Sequence, residues 1–147
     1  MGPATTASWK LYGVPLSQPF RSVAWALFQK KIKFDVQLAV PGMTTSIGSR
    51  NEEYIAKSRM RTFRIPLLED TRDGFTIAES PAILSHLCER YGWEDSLYAP
   101  PGSKKKATID SYMHWHHSGT RILARVVFPY LRPKEAMNIS EADQERH

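Results

Sequence analysis

Two short alternating segments on either side of a helical stretch constrain this chain most. Trp9-Lys10-Leu11-Tyr12-Gly13 and Phe34-Asp35-Val36-Gln37-Leu38 each alternate in the manner of a strand. Between them, from Pro19 on, Phe20, Val23, Ala24, Leu27 and Phe28 recur at helical spacing and predict one buried face. Pro19 suits the first turn, where a missing N–H costs nothing. Lys30, Lys31 and Lys33 gather at the helix exit, where positive charge opposes the negative pole of the dipole. A strand, a helix and a strand so closely spaced predict a parallel pair joined by a right-handed crossover.

The rest of the chain extends this unit. Residues 39–49 form a loop rich in Gly, Thr and Ser, and Asn51 to Arg59 predicts a short, weak helix. Phe63 to Glu69 and Phe75 to Ala78 read as a third and a fourth strand. The turn signal between them, ending in Asp73-Gly74, makes them an antiparallel hairpin. Ser80-Pro81 opens a helix with Ile83, Leu84, Leu87, Cys88 and Tyr91 on one face and Gly92 as its stop. Strand, helix, strand, irregular segment, hairpin, helix is the order of a thioredoxin-like α/β domain with one mixed four-stranded sheet. Tyr98 to Ser103 is a linker. Lys104 to Leu131 carries a long helical pattern through Ile109, Tyr112, Met113, Leu123 and Val127, brought to an end by Pro129 and Pro133. The expected organisation is a disordered leader at 1–8, the thioredoxin-like domain at 9–93, a linker at 94–103, and the first helices of an all-α domain at 104–147.

Composition narrows the class. The 147 residues are 41% hydrophobic and 24% charged, as in a globular protein. No apolar run approaches the roughly 20 residues of a membrane span, and Met1 to Lys10 lacks a secretory pattern. The lone Cys88 cannot form an internal disulfide or a cysteine metal cluster, which fits a reducing, cytoplasmic setting. The net charge of +5 is scattered apart from Lys104, Lys105 and Lys106, too small a footprint for a nucleic-acid partner but suited to small anions.

Three places carry chemistry. In a thioredoxin-like sheet the reactive group sits where the first strand's loop meets the first helix. Here that run is Ser17-Gln18-Pro19-Phe20, with no thiol pair, so dithiol–disulfide exchange is excluded there. Ser17 reads either as a helix cap or as a hydroxyl offered to a ligand anion, and the two roles are compatible. Ile65-Pro66 stands at a strand start. Pro66 is tolerated there as an ordinary strand proline, and a cis bond would turn the Ile65 backbone toward an extended peptide. Glu79-Ser80 begins a helix. The pair reads as capping chemistry or as a cradle in which Ser80 and free N–H groups hold a carboxylate and Glu79 accepts from an ammonium. His114, His116 and His117 lack the i, i+4 spacing of a zinc helix, so no metal is expected.

Taken together these residues resemble the glutathione transferases, most closely the theta class. The resemblance lies in Leu11-Tyr12-Gly13 with Leu16 to Arg21, in Ile65 to Leu68, in Phe75 to Ser80 with Ala82 to Leu84, and in Asp110 to His117 with Arg121, covering Trp9 to Pro133. It implies glutathione as co-substrate, a small electrophile such as an alkyl halide, an epoxide or an organic hydroperoxide, and a homodimer. It implies that Ser17 stabilises the glutathione thiolate and that Ile65, before Pro66, pairs with the cysteinyl backbone. Glu79 and Ser80 would hold the γ-glutamyl end. Arg64 stands where a lysine is usual and would reach a glutathione carboxylate. Arg50, in the run Gly48-Ser49-Arg50, would replace a histidine, and Arg121 would approach from the long helix. Departures are a longer loop before Arg50 and Met60-Arg61 in place of Asn-Pro. Members of the family continue through further helices, so the chain is expected to be C-terminally truncated, with Ile122, Val126 and Phe128 short of partners. The alternative is a non-catalytic dimerisation or partner-binding module on the same fold, but such modules lose the hydroxyl or the Glu-Ser pair. A zeta-type isomerase would carry Ser-Ser-Cys, which is absent.

Overall fold

Leu11 and Leu68 face each other across the middle of a four-stranded sheet, and neither is exposed to solvent. The structure, a computed structural model, describes residues 8–93 and 98–119. Its elements are β1 (Trp9–Gly13), α1 (Gln18–Gln29), β2 (Phe34–Leu38), α2 (Glu52–Lys57), β3 (Leu67–Asp70), β4 (Thr76–Ala78), α3 (Ser80–Tyr91) and α4 (Lys104–Ser118). They fall into two compact units, one ending at Tyr91 and the other beginning at Gly92.

In the first unit the strand order is β2-β1-β3-β4. β1 and β2 run parallel, and β3 is antiparallel to both β1 and β4. This is the thioredoxin-like arrangement expected from the order of elements. The pleat sends successive rungs to opposite faces. Tyr12, Leu67 and Ala78 form one rung and pack with Ala39 and with Tyr54 of α2. The alternate row, with Trp9 and Leu11, points the other way: the Trp9 indole N–H donates to the Tyr91 hydroxyl of α3 at 2.6 Å. α3 and α1 contact each other, and their inward residues Val23, Leu27, Ile83 and Leu87 are fully buried.

Several expectations shift. α1 buries Pro19, Phe20, Val23, Ala26 and Leu27, whereas Phe28 is 75% exposed. The buried stripe is centred one residue-step away from the predicted face, so Ala26 turns inward and Phe28 joins Trp25 and Arg21 on the outer side. β3 starts at Leu67, four residues later than predicted, because the segment before it is a loop folded onto α2. β4 begins at Thr76 because Phe75 belongs to the turn, where its N–H bonds the Asp73 carboxylate at 2.8 Å. Gly92 stops α3 with a left-handed φ of 64°.

In the second unit α4 is capped by Ser103, whose hydroxyl accepts from Lys106 N at 3.1 Å. Asp110 accepts from Lys106 at 2.9 Å and from the Tyr98 hydroxyl. Tyr112 and Trp115 are exposed and lie against each other with their rings inclined at 41° and their centres 5.7 Å apart. α4 ends at Ser118 with Gly119 as its C-cap, short of the predicted run to Leu131, and the residues from 120 on lie outside the described residues. No helix among the described residues is long and apolar enough to cross a membrane.

The far end of the sheet is tied by a buried carboxylate. Asp70 is 1% exposed, receives Arg72 through Nε at 2.8 Å and Nη2 at 2.5 Å, and lies 3.3 Å from Arg90 of α3. Bonding by Arg72 holds its pKa down, from 3.8 to about 2. A carboxylate whose pKa is lower folded than unfolded contributes stability above the unfolded value and loses it as pH falls through the folded value. The unfolding free energy is therefore expected to drop by about 2 kcal/mol between pH 4 and pH 2 on this account alone. Asp70→Asn, followed by urea denaturation across that window, should remove this part of the acid dependence.

Candidate functional site

The register of the sheet brings four chain segments to one end. Gly13 pairs with Leu38, Tyr12 with Leu67, and Leu67 with Ala78. β1, β2 and β4 therefore finish, and β3 starts, at the same end. Gathered there are the turn leading to Ser17, the loop leading to Arg50, the segment Arg64-Ile65-Pro66, and Glu79-Ser80. Arg121 lies outside the described residues.

The Ser17 turn begins at Gly13, whose φ is 152°. A Cβ there would stand 2.5 Å from the Phe20 ring, so only glycine lets α1 sit this close to the end of β1. The turn closes with Ser17 N–H on the Val14 carbonyl at 3.0 Å. Ser17 then caps α1 with extended φ −73° and ψ 121°, and its hydroxyl oxygen accepts from Phe20 N at 3.5 Å. That cap is long, at the outer edge of hydrogen bonding. It occupies a lone pair and leaves the hydroxyl proton to donate elsewhere. Ser17 is buried, and α1 has no acidic residue in its first turn, so the positive pole of the helix is uncompensated beside this oxygen.

The Ile65–Pro66 bond is cis. Pro66 is buried and Ile65 packs partly against the Tyr12–Tyr54 cluster. The ladder begins at Leu67, so the Ile65 backbone runs past the paired region. What holds this segment is a residue the sequence reading did not single out. Tyr54 is 4% exposed and donates its hydroxyl to the Arg64 carbonyl at 2.7 Å. Burial pushes its pKa well above the ordinary tyrosine value, which keeps the donor proton in place. The Arg64 side chain itself is exposed.

Glu79 has φ 69°, a left-handed conformation that a residue with a side chain adopts at a cost of about 1–3 kcal/mol. Its carbonyl accepts from Ile83 N at 2.9 Å, so Glu79 caps α3 and Ser80 is the first helical residue, largely buried. Strain of this kind, at the same sheet end as Ser17, is typical of ligand-contact positions.

Arg50 ends an ordered loop. Its N–H bonds the Met43 carbonyl at 2.9 Å, and Gly48 passes so near Met43 that a Cβ would fall 2.0 Å from the Met43 oxygen. Asn51 caps α2 through Tyr54 N at 2.8 Å and also donates to Thr45 O at 3.2 Å. The Arg50 guanidinium lies 4.3 Å from the centre of the Phe63 ring, next in sequence to Arg64. The Arg50 side chain is thereby anchored beside the segment that carries the cis-proline. Among the described residues no cluster of three or more His, Cys, Asp or Glu could hold a metal.

Comparison with known proteins converges on one family. The profile of the family described as Glutathione S-transferase, N-terminal domain, matches residues 11–101. Glutathione S-transferase theta-1 of Mus musculus is 31% identical, over 82% of this chain and 49% of its own length. The solved structure of a glutathione transferase homolog from Drosophila mojavensis with bound glutathione superposes with a TM-score of 0.65 at 32% identity, over 93% of this chain and 63% of that one. An epsilon-class glutathione S-transferase from the housefly Musca domestica gives a TM-score of 0.65 at 29% identity, over 87% of this chain and 59% of its own. The chain spans about half the length of the curated relatives it matches.

Tyr54→Phe isolates the hydroxyl that fixes Arg64-Ile65. The substitution is expected to lower stability by about 1 kcal/mol. It should also speed amide hydrogen exchange at residues 62–65 while leaving β1 unchanged. Equal protection in the two proteins would show that the bond does not hold this segment.

Proposed function

This chain belongs to the glutathione S-transferase family, and on that premise we propose that its gathered sheet end binds glutathione with Ser17 keeping the sulfur ionised. The observation that carries the reading is the shared position of Ser17, Ile65-Pro66 and Glu79-Ser80 at one end of the sheet, with the uncompensated pole of α1 behind Ser17. Ile65 pairs with the cysteinyl backbone of the tripeptide. Ser80 and the first N–H groups of α3 take the γ-glutamyl carboxylate, and Glu79 takes its ammonium. Arg64 takes a glutathione carboxylate, with Arg50 as its neighbour across the Phe63 ring, and Arg121, the remaining residue that the resemblance implies, lies outside the described residues.

A hydrogen bond to a charged group contributes about 1.5–3 kcal/mol. Added to the helix pole, this brings a thiol of ordinary pKa about 8.5 into the range of roughly 6.5–7.5. The thiolate then donates its pair to an electrophilic carbon. A C–S bond forms and a halide departs with its electrons, or an epoxide C–O bond opens. With an organic hydroperoxide the O–O bond breaks, giving an alcohol and a sulfenic acid that a second glutathione reduces to disulfide and water.

The Ser-Gln-Pro and Glu-Ser runs and the theta-1 relatives support the theta class, and the epsilon-class enzyme shares the fold. The chain divides into the glutathione domain at 9–93, a linker at 94–103 and all-α segments beyond. It works as a homodimer, and the single Cys88 suits the reducing cytoplasm.

Isothermal titration of glutathione into the chain, paired with a conjugation assay, tests this reading. Ser17→Ala should bind glutathione within about threefold of wild type and lose turnover by roughly 10- to 100-fold. Unchanged turnover would remove Ser17 from the mechanism. Binding without any Ser17-dependent thiolate in the wild type would favour the non-catalytic module.

A further inference from the structure

We infer that Arg21 is a positioning residue: it clips the turn that presents Ser17 and so sets how well that hydroxyl holds the glutathione sulfur. The inference rests on the glutathione reading above. Arg21 stands one helical turn after Ser17, and its own N–H makes the first bond of α1, to the Ser17 carbonyl at 3.0 Å. Its Nη1 reaches back and donates to the Pro15 carbonyl at 3.0 Å and to the Leu16 carbonyl at 2.8 Å. Pro15 and Leu16 are the two inner residues of the turn that closes between Val14 and Ser17. One cation therefore ties both inner carbonyls of the turn to the helix that Ser17 caps.

This turn needs such a tie. Pro15 and Leu16 are exposed, and Leu16 keeps 65% of its surface in water, so packing does not fix them. The Ser17 cap is long and weak at 3.5 Å and does not fix the hydroxyl by itself. Arg21 closes the remaining freedom with charge-assisted bonds.

The choice of residue also runs against local preference. A cation in the first turns of a helix is disfavoured by the positive pole there, and no acidic residue of the first turn offsets it. α2, by contrast, opens with Glu52 and Glu53. Local rules are broken in this way at functional sites. The cost is met here by the two carbonyl bonds, which fix the turn that carries Ser17. Arg21 acts on the sulfur only through the turn and Ser17.

The test is the ionisation of bound glutathione, followed by the ultraviolet band of its thiolate as a function of pH in the full chain. Arg21→Ala should raise the pH of half-ionisation by about 0.5 to 1 while the affinity for glutathione changes less than about threefold. Arg21→Lys, which keeps the charge and can still reach the carbonyls, should restore at least half of the shift. Far-UV circular dichroism checks that each variant is folded. Because Arg21 is argued to act through Ser17, Ser17→Ala and the double variant should titrate alike.

Each outcome decides something. Ionisation unchanged in Arg21→Ala, with a normal band in the wild type, overturns the inference and leaves the glutathione reading standing. Additive shifts in the double variant overturn the positioning role, because Arg21 would then act independently of Ser17. A wild type that binds no glutathione overturns the glutathione reading, and this inference with it.

Discussion

The alignment of strand ends in the mixed sheet is the constraint on which the rest depends. β1 and β3 occupy the two central places, and the pairs Gly13 with Leu38, Tyr12 with Leu67 and Leu67 with Ala78 bring four connections to one end. A slip of one residue would send every side chain of a strand to the opposite face. It would also carry the cis-proline segment away from the Ser17 turn. The fully buried Leu11, Leu67 and Leu68 hold that register, because each has a place on only one face. Core packing and site geometry are in this sense one property of the fold.

The two ends of the sheet differ in their electrostatics. At the far end a buried carboxylate, Asp70, is neutralised by Arg72 and Arg90, which also lie over the Trp9 ring at 5.9 and 5.1 Å. The carboxylate there is paired twice and does structural work. At the site end the first turn of α1 carries no acidic residue, and Arg50 rests on an aromatic ring. A positive helix pole and guanidinium groups are the chemistry that the proposed thiolate and carboxylates would require.

Much of this was legible from residue spacing. The bounds of β1 and β2 coincide with the alternating runs because period-2 patterning in a short segment has few competing readings. Ser17, Pro66, Glu79 and Ser80 were legible because each occupies a junction with a local chemical signature. The misses have a common physical origin. Phe28 was assigned to the core because a helical stripe several residues wide does not reveal its exact centre, and Ala26 carries too little hydrophobicity to mark it. Tyr54, Phe63 and Arg21 act on distant carbonyls or on another side chain, and such contacts leave no periodic trace. Arg21 alone had a readable clue, a cation one turn after a capping serine where the helix pole disfavours it.

The central claim is that one sheet end receives the tripeptide. It is tested most directly by mapping amide chemical-shift changes as glutathione is titrated into isotopically labelled protein. The account predicts saturable shifts at Ser17, Ile65, Glu79 and Ser80, with the Asp70–Gly74 turn at the opposite end unmoved. Shifts confined to that turn, or none at any glutathione concentration, would contradict it.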